Sequence, residues 1–115
     1  MALAKTRTTI TQVTGTGQST TVGISSSYRH SFYVKHVNGT GTITTGAVVK
    51  VQVQPQGSAT WFDLLVLAFG TTASATETRS IPLPDDASNV RLDYTAPAGS
   101  TGHTLDGEVG QITSY

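Results

Sequence analysis

The side chains with chemical reach are three histidines, His30, His36 and His103, and seven carboxylates, Asp63, Glu77, Asp85, Asp86, Asp93, Asp106 and Glu108. A zinc site needs imidazoles brought together by spacings such as H-x-H or HExxH, and no such spacing occurs. His30 and His36 would share a face of one strand but stand about 20 Å apart, so all three read as ordinary surface or strand-end histidines. A glycosidase needs two carboxylates facing each other across roughly 5 to 10 Å. Asp85 and Asp86 follow Pro84, where aspartate bonds its own backbone and makes a turn, and the EF-hand spacing for calcium is absent. Asp106 and Glu108 share the face opposite Leu105 and Val109 and read as solvated strand surface. No serine sits in G-x-S-x-G. Gly15-Thr16-Gly17 and Gly39-Thr40-Gly41 neither end in Gly-Lys-Ser/Thr nor open a helix, so phosphate binding has no support. Asn38-Gly39-Thr40 matches a glycosylation sequon but reads as a turn. The expectation is a chain that is not an enzyme, with no catalytic residues, no cofactor and no metal.

Four aromatic residues, Tyr28, Tyr33, Trp61 and Tyr115, could form a sugar-binding platform. Trp61 is expected instead to fill the core beside Val51. Tyr28 and Tyr33 are equally consistent with an exposed contact patch and with the core.

The elements that must position these groups are strands. Val49, Val51 and Val53 alternate with Lys50, Gln52 and Gln54, which gives one dry and one wet face. Pro55-Gln56-Gly57-Ser58 turns the chain, and Trp61 to Ala68 resumes as an apolar run that reads as a buried partner strand. Phe32 and Val34 face one way on a strand from Arg29 to Val37, with Tyr33, Lys35 and Val37 opposite. Asn38-Gly39 suits a type I′ turn, but Thr40-Gly41-Thr42 extends the linker, which leaves a pivot near Thr45-Gly46 as the alternative. Further strands are expected near 8–14, 22–24, 77–83, 90–95 and 105–112, with 14–19 a loop. The orders VQVQPQGSATW and RLDYTAPAGSTGHTL echo each other as two equivalent hairpins. The expected core is Phe32, Val34, Val51, Val53, Trp61, Val90, Leu92 and Tyr94. About eight short strands with regular turns predict an all-β, single-domain antiparallel β-sandwich, jelly-roll or immunoglobulin-like, because each apolar face must find another. It spans residues 10–115, behind a flexible N-terminal arm of residues 1–9.

At 115 residues the chain buries enough surface for one domain, and without cysteine it has no disulfide. The start, Met-Ala-Leu-Ala-Lys-Thr-Arg, lacks the apolar run of a signal peptide, and no window approaches a membrane helix. Zero net charge predicts neither nucleic-acid nor membrane partners. Charged residues are 12%, about half the usual share, and Thr and Ser supply the polarity. Such a surface suits a subunit docked against a partner better than a dispersed monomer.

The segments VVKVQVQPQGSATWFDL and ASNVRLDYTAPAGSTGHTLDGEV resemble a recurring pattern in small virion proteins of tailed bacteriophages. In those proteins a V-x-V-x strand, a polar turn and W-x-D/E-L are accompanied by an x-V-R-L strand and a Gly/Ser/Thr turn. The resemblance covers about forty of the 115 residues. It implies a capsid decoration (cement) protein, made in the host cytoplasm and carried on the outer surface of the head. The implied partner is the major capsid protein, with a homo-trimer and a monomer both compatible. Lys5, Arg7, Thr8 and Thr9 would be capsid contacts on the arm, and Tyr28 and Tyr33 an exposed aromatic contact. A carbohydrate-binding β-sandwich module and a tail or baseplate component are the alternatives.

Overall fold

A computed structural model describes residues 4–24 and 29–114. Among them nine strands form two antiparallel sheets: β1 (Ala4–Val13), β2 (Gly17–Gln18), β3 (Val22–Gly23), β4 (Arg29–Val37), β5 (Val48–Pro55), β6 (Phe62–Ala68), β7 (Thr76–Ile81), β8 (Ala87–Thr95) and β9 (Thr104–Ser114). The front sheet has the order β1-β9-β4-β7, and the back sheet β2-β8-β5-β6, with β3 also on β8. Counted as one interrupted strand, β2 and β3 reduce the nine to eight, in the orders 1-8-3-6 and 2-7-4-5. That is the jelly roll, which settles the choice left open between it and an immunoglobulin-like sandwich.

Alternation builds the core. Ile10, Phe32, Val34, Leu105 and Val109 point in from the front sheet, and Val49, Val51, Val90, Leu92 and Tyr94 from the back sheet, all fully buried. Phe69, Ile81, Val22 and Ile24 close the sides. Each large apolar side chain contributes about 1.5–3 kcal/mol by leaving water. Two-layer packing is therefore what makes the alternating sequence cohere.

Several expectations are corrected. The first strand begins at Ala4, so from there the stretch expected to be an arm is paired with β9, Lys5 with Ile112 and Thr8 with Val109. Ladder bonds are backbone bonds, and a Thr-rich edge needs no apolar side chain to make them. The loop at 14–19 contains β2, stapled by Ser19 Oγ, which accepts the Leu92 N–H at 2.8 Å. Trp61 is half-buried outside the core, its ring 4.1 Å from the Arg91 guanidinium carbon. Phe69 contributes core packing in its place. The run that read as a buried strand is a rim strand, β6, with Phe62 and Val66 52% and 56% exposed.

Asn38-Gly39 makes no hairpin, because β4 and β5 lie in different sheets. Asn38 is instead buried, its Nδ2 donating to the carbonyls of Gly70 (3.0 Å) and Thr72 (2.9 Å). The nitrogen that a glycan would modify is thereby occupied inside the fold. A Cβ at Gly39 would fall 1.8 Å from the Thr101 carbonyl oxygen, so close backbone approach, not positive φ, requires this glycine. The second of the two echoed hairpins is likewise a crossover, since β8 and β9 belong to different sheets.

Candidate functional site

The front sheet places β9 between β1 and β4, with Thr9 opposite Glu108 and Glu108 opposite Tyr33. One step along, Asp106 is opposite Lys35, and Lys35 opposite Thr78 of β7. These residues alternate with buried Ile10, Val34, Leu105 and Val109, so their side chains project from the outer face. Between them lies a depression of about 500 Å³ crossing all four strands. Thr9, Tyr33, Lys35, Thr78, Asp106 and Glu108 line it.

β1 reaches across to hold both carboxylates. Arg7 pairs with Glu108 at 3.1 Å, and Gln12 Nε2 donates to Asp106 at 3.2 and 3.4 Å. Arg7 passes beside Gly110, where an added Cβ would make an ordinary 3.7 Å contact with the guanidinium and a tighter one, 3.0 Å, with Ser31 Oγ. Lys35 has no ion pair among the described residues. Tyr33 is 47% exposed. The lining carries Lys35, Asp106 and Glu108, and Arg7 beside it offsets Glu108, so among the described side chains little net charge remains. Asp106 and Glu108 stand side by side on one strand, an arrangement for orienting a ligand's hydroxyls. Among the described residues no group of three or more His, Cys, Asp or Glu could hold a metal ion.

The structure thus brings together Arg7, Thr9 and Tyr33 out of the residues singled out in the sequence. Thr8 is exposed on β1, and Lys5 is known through its backbone pairing alone. Tyr28 and Tyr115 lie outside the described residues. Lys35, Thr78, Asp106 and Glu108 were missed as site residues. Alternation put each on an outer face, but strand order, which local sequence does not encode, made them neighbours.

A second polar cluster is internal. His36 is 1% exposed and was not expected inside. Its Nε2 lies 2.8 Å from the Tyr94 hydroxyl, a hydrogen bond joining the two sheets. Phe69 packs on the imidazole with centroids 5.1 Å apart, and His103 stands 6.2 Å from the Tyr94 ring. Burial, and then the nearby His103, hold the His36 pKa below its ordinary value, with Glu77 opposing. Burial pushes the Tyr94 phenol up to about 12. Glu77 is held low chiefly by the Gly70 N–H at 2.7 Å, and also by Arg79. Closed to solutes, His36 and Tyr94 act as a tie between layers. His30, half-buried, contacts the Pro84 carbonyl at 3.2 Å.

No family model matches this chain, and no curated protein does. Among solved structures it is similar to the SPBc2 prophage-derived protein YomS, with a TM-score of 0.54, 13% identity and 96% of each chain covered. It is also similar to a structure described as Bacillus endospore appendages, at 15% identity and TM-score 0.44, covering 96% of this chain and 88% of the other. A third is the carbohydrate-binding module CBM6cm-2 of Cellvibrio mixtus lichenase 5A, at 14% identity and TM-score 0.44, covering 97% and 90%. At these identities the likeness to YomS is one of fold, and the other two superpose too loosely to add to it. The fold itself carries capsid proteins and lectins alike, so function has to come from the surfaces.

Proposed function

We propose that this protein is a structural subunit of a phage virion, and within that class a capsid decoration (cement) protein that binds the outer surface of the head. The observation that carries the reading is β6. This seven-residue strand, FDLLVLA, lies at the rim of the back sheet with β5 on one side only. It exposes Phe62 and Val66, and Asp63 is its sole charge. Rims of stable monomers are protected by lysines, prolines, bulges or short length, and this one has neither lysine nor proline and a single bulge-like irregularity, beside Leu64. A rim of that kind is suited to an extended segment of a neighbouring protein, which would gain backbone hydrogen bonds and apolar contact together. The low charge of the whole chain fits a particle-bound life, as does a fold shared over its length with a prophage-derived protein. The reading is non-catalytic, with the major capsid protein as partner and the subunit present as monomer or trimer.

The test is to mix purified protein with undecorated heads and measure sedimenting copies. Saturable binding is expected, weakened at least about tenfold by Val66→Lys combined with Phe62→Lys, since charge on a docking rim opposes pairing. Absence of bound copies rejects the reading, and binding to tails alone makes the protein a tail or baseplate component. A carbohydrate-binding role draws on a different surface, the depression of the front sheet.

A further inference from the structure

We infer that the depression on the front sheet is a binding site for an uncharged saccharide chain. The inference takes up the carbohydrate-binding role and is independent of docking through β6, because the two uses occupy different sheets. A pyranose offers a ring of hydroxyls, each both donor and acceptor, around patches of C–H. Recognition therefore calls for an aromatic surface among groups of both hydrogen-bonding senses. Tyr33 supplies the aromatic surface. It is half-exposed on a central strand, between Glu108 on one side and Ser80 on the other.

The polar groups are of both hydrogen-bonding senses. Asp106 and Glu108 accept, Lys35 donates, and Thr9 and Thr78 do either. Both carboxylates have a partner on β1, Asp106 in Gln12 and Glu108 in Arg7. Charge narrows the ligand class. Among the described side chains Lys35 faces Asp106 and Glu108 in the lining, and Arg7 beside it offsets Glu108, so little net field is left to favour phosphates, sulfated glycans, uronic acids or polycations. Shape agrees: four strands at about 4.8 Å spacing give a trough roughly 14 Å across, open to the solvent and able to take a stretch inside a polymer as well as its end.

Two further surfaces fall short of this one. On the back sheet the polar groups bond to each other, and the His36–Tyr94 pair is sealed inside. Among the described residues the front trough alone combines an open aromatic ring, an ammonium without an ion pair, and acceptors partnered from β1.

The experiment uses the full chain and a panel of neutral oligosaccharides (gluco-, galacto-, manno- and N-acetylhexosamine series) in titration calorimetry, with the anionic counterparts alongside. Expected is millimolar or tighter binding to at least one neutral series, little changed by salt. Tyr33→Ala should weaken it by about tenfold or more, and Lys35→Ala less. Both side chains are exposed, so each variant should keep the wild-type melting temperature, which is checked first. Three results would overturn the proposal: no neutral series bound, binding confined to anionic glycans and abolished by salt, or binding unaffected by the Tyr33→Ala, Lys35→Ala double variant. Capsid sedimentation of the same variants separates the two roles, since losing sugar binding should leave docking intact.

Discussion

The outer faces of the two sheets are built from the same kinds of residue on the same alternation, yet they end in opposite conditions. On the back sheet Arg91 Nε donates to Gln52 Oε1 at 2.8 Å, Gln52 Nε2 donates to Asp63 at 2.8 Å, and Asn89 Nδ2 donates to Gln54 at 2.8 Å. Trp61 lies over Arg91, and Lys50 stands 3.9 Å from Asp63. Most of the polar side chains on that face bond to one another, with Asp93 outside the network. On the front sheet Arg7 and Gln12 leave their own strand to reach the carboxylates of β9, and Tyr33 and Lys35 stay open. One face stabilises the fold, and the other is available to a ligand. Composition does not separate them; register does.

The largest effect should come from the element both faces rest on. His36→Ala removes a buried ring beside Phe69 and leaves the Tyr94 hydroxyl without its partner, a loss of about 2–4 kcal/mol by chemical denaturation. The same group sets a pH dependence. Its folded pKa is depressed, so between its ordinary value of about 6.5 and the lower folded one the unfolded chain binds more protons. Stability is therefore full above about pH 6.5 and declines as the pH falls toward the folded value. Glu77, also depressed, acts in the same direction at lower pH, its contribution present above its ordinary value and lost as the pH falls through the folded one. Tyr94 acts at the alkaline end. With its folded pKa raised to about 12, stability should fall as the pH rises from about 10 toward 12. His36→Leu should flatten the arm just below pH 6.5 and leave the alkaline arm. An acid arm unchanged in that variant would remove His36 from the account.

Much of the fold was legible because alternation is local. Phe32, Val34, Val51, Val53, Val90, Leu92 and Tyr94 were all assigned inward and are buried. Trp61 failed because bulk and hydrophobicity said core, whereas a guanidinium thirty positions away gave its ring a partner at the surface. His36 failed in the reverse sense: its alternation with Val34 already put it inside, but a buried imidazole is credible only once Tyr94 is known to face it. β6 misled because a continuous apolar run looks the same at a sheet centre and at a rim. Of the candidate site, Tyr33 alone stood out as an aromatic contact, while Arg7 and Thr9 were noted only as capsid contacts on an arm, and nothing in the order of residues says that β9 lies between the strands that carry them.

A smaller effect should distinguish the back face. Arg91→Ala removes the stack on Trp61 and the bond to Gln52, a loss of about 1–2 kcal/mol. Trp61 is the only tryptophan, so its emission reports the change directly and should shift to longer wavelength as the ring gains water. A double-mutant cycle between Arg91 and Gln52 should return a coupling of about 0.5 kcal/mol or more. A coupling near zero would mean that the network seen on this face is not a framework.

The smallest effect, and the one that sharpens the contrast most, belongs to Arg7→Ala on the front face. Its ion pair with Glu108 is short at 3.1 Å, but the two side chains are 58% and 42% exposed, and water screens most of the attraction. The expected loss is under about 0.5 kcal/mol, and smaller still in high salt. The substitution has a second consequence, because it leaves Asp106 and Glu108 facing Lys35 alone and turns the depression net negative. Stability should therefore barely move while ligand preference does, with neutral sugars bound more weakly and cations drawn in. If Arg7→Ala instead destabilised the fold as much as Arg91→Ala, the front face would be as much a framework as the back one, and its openness could no longer be read as readiness to bind.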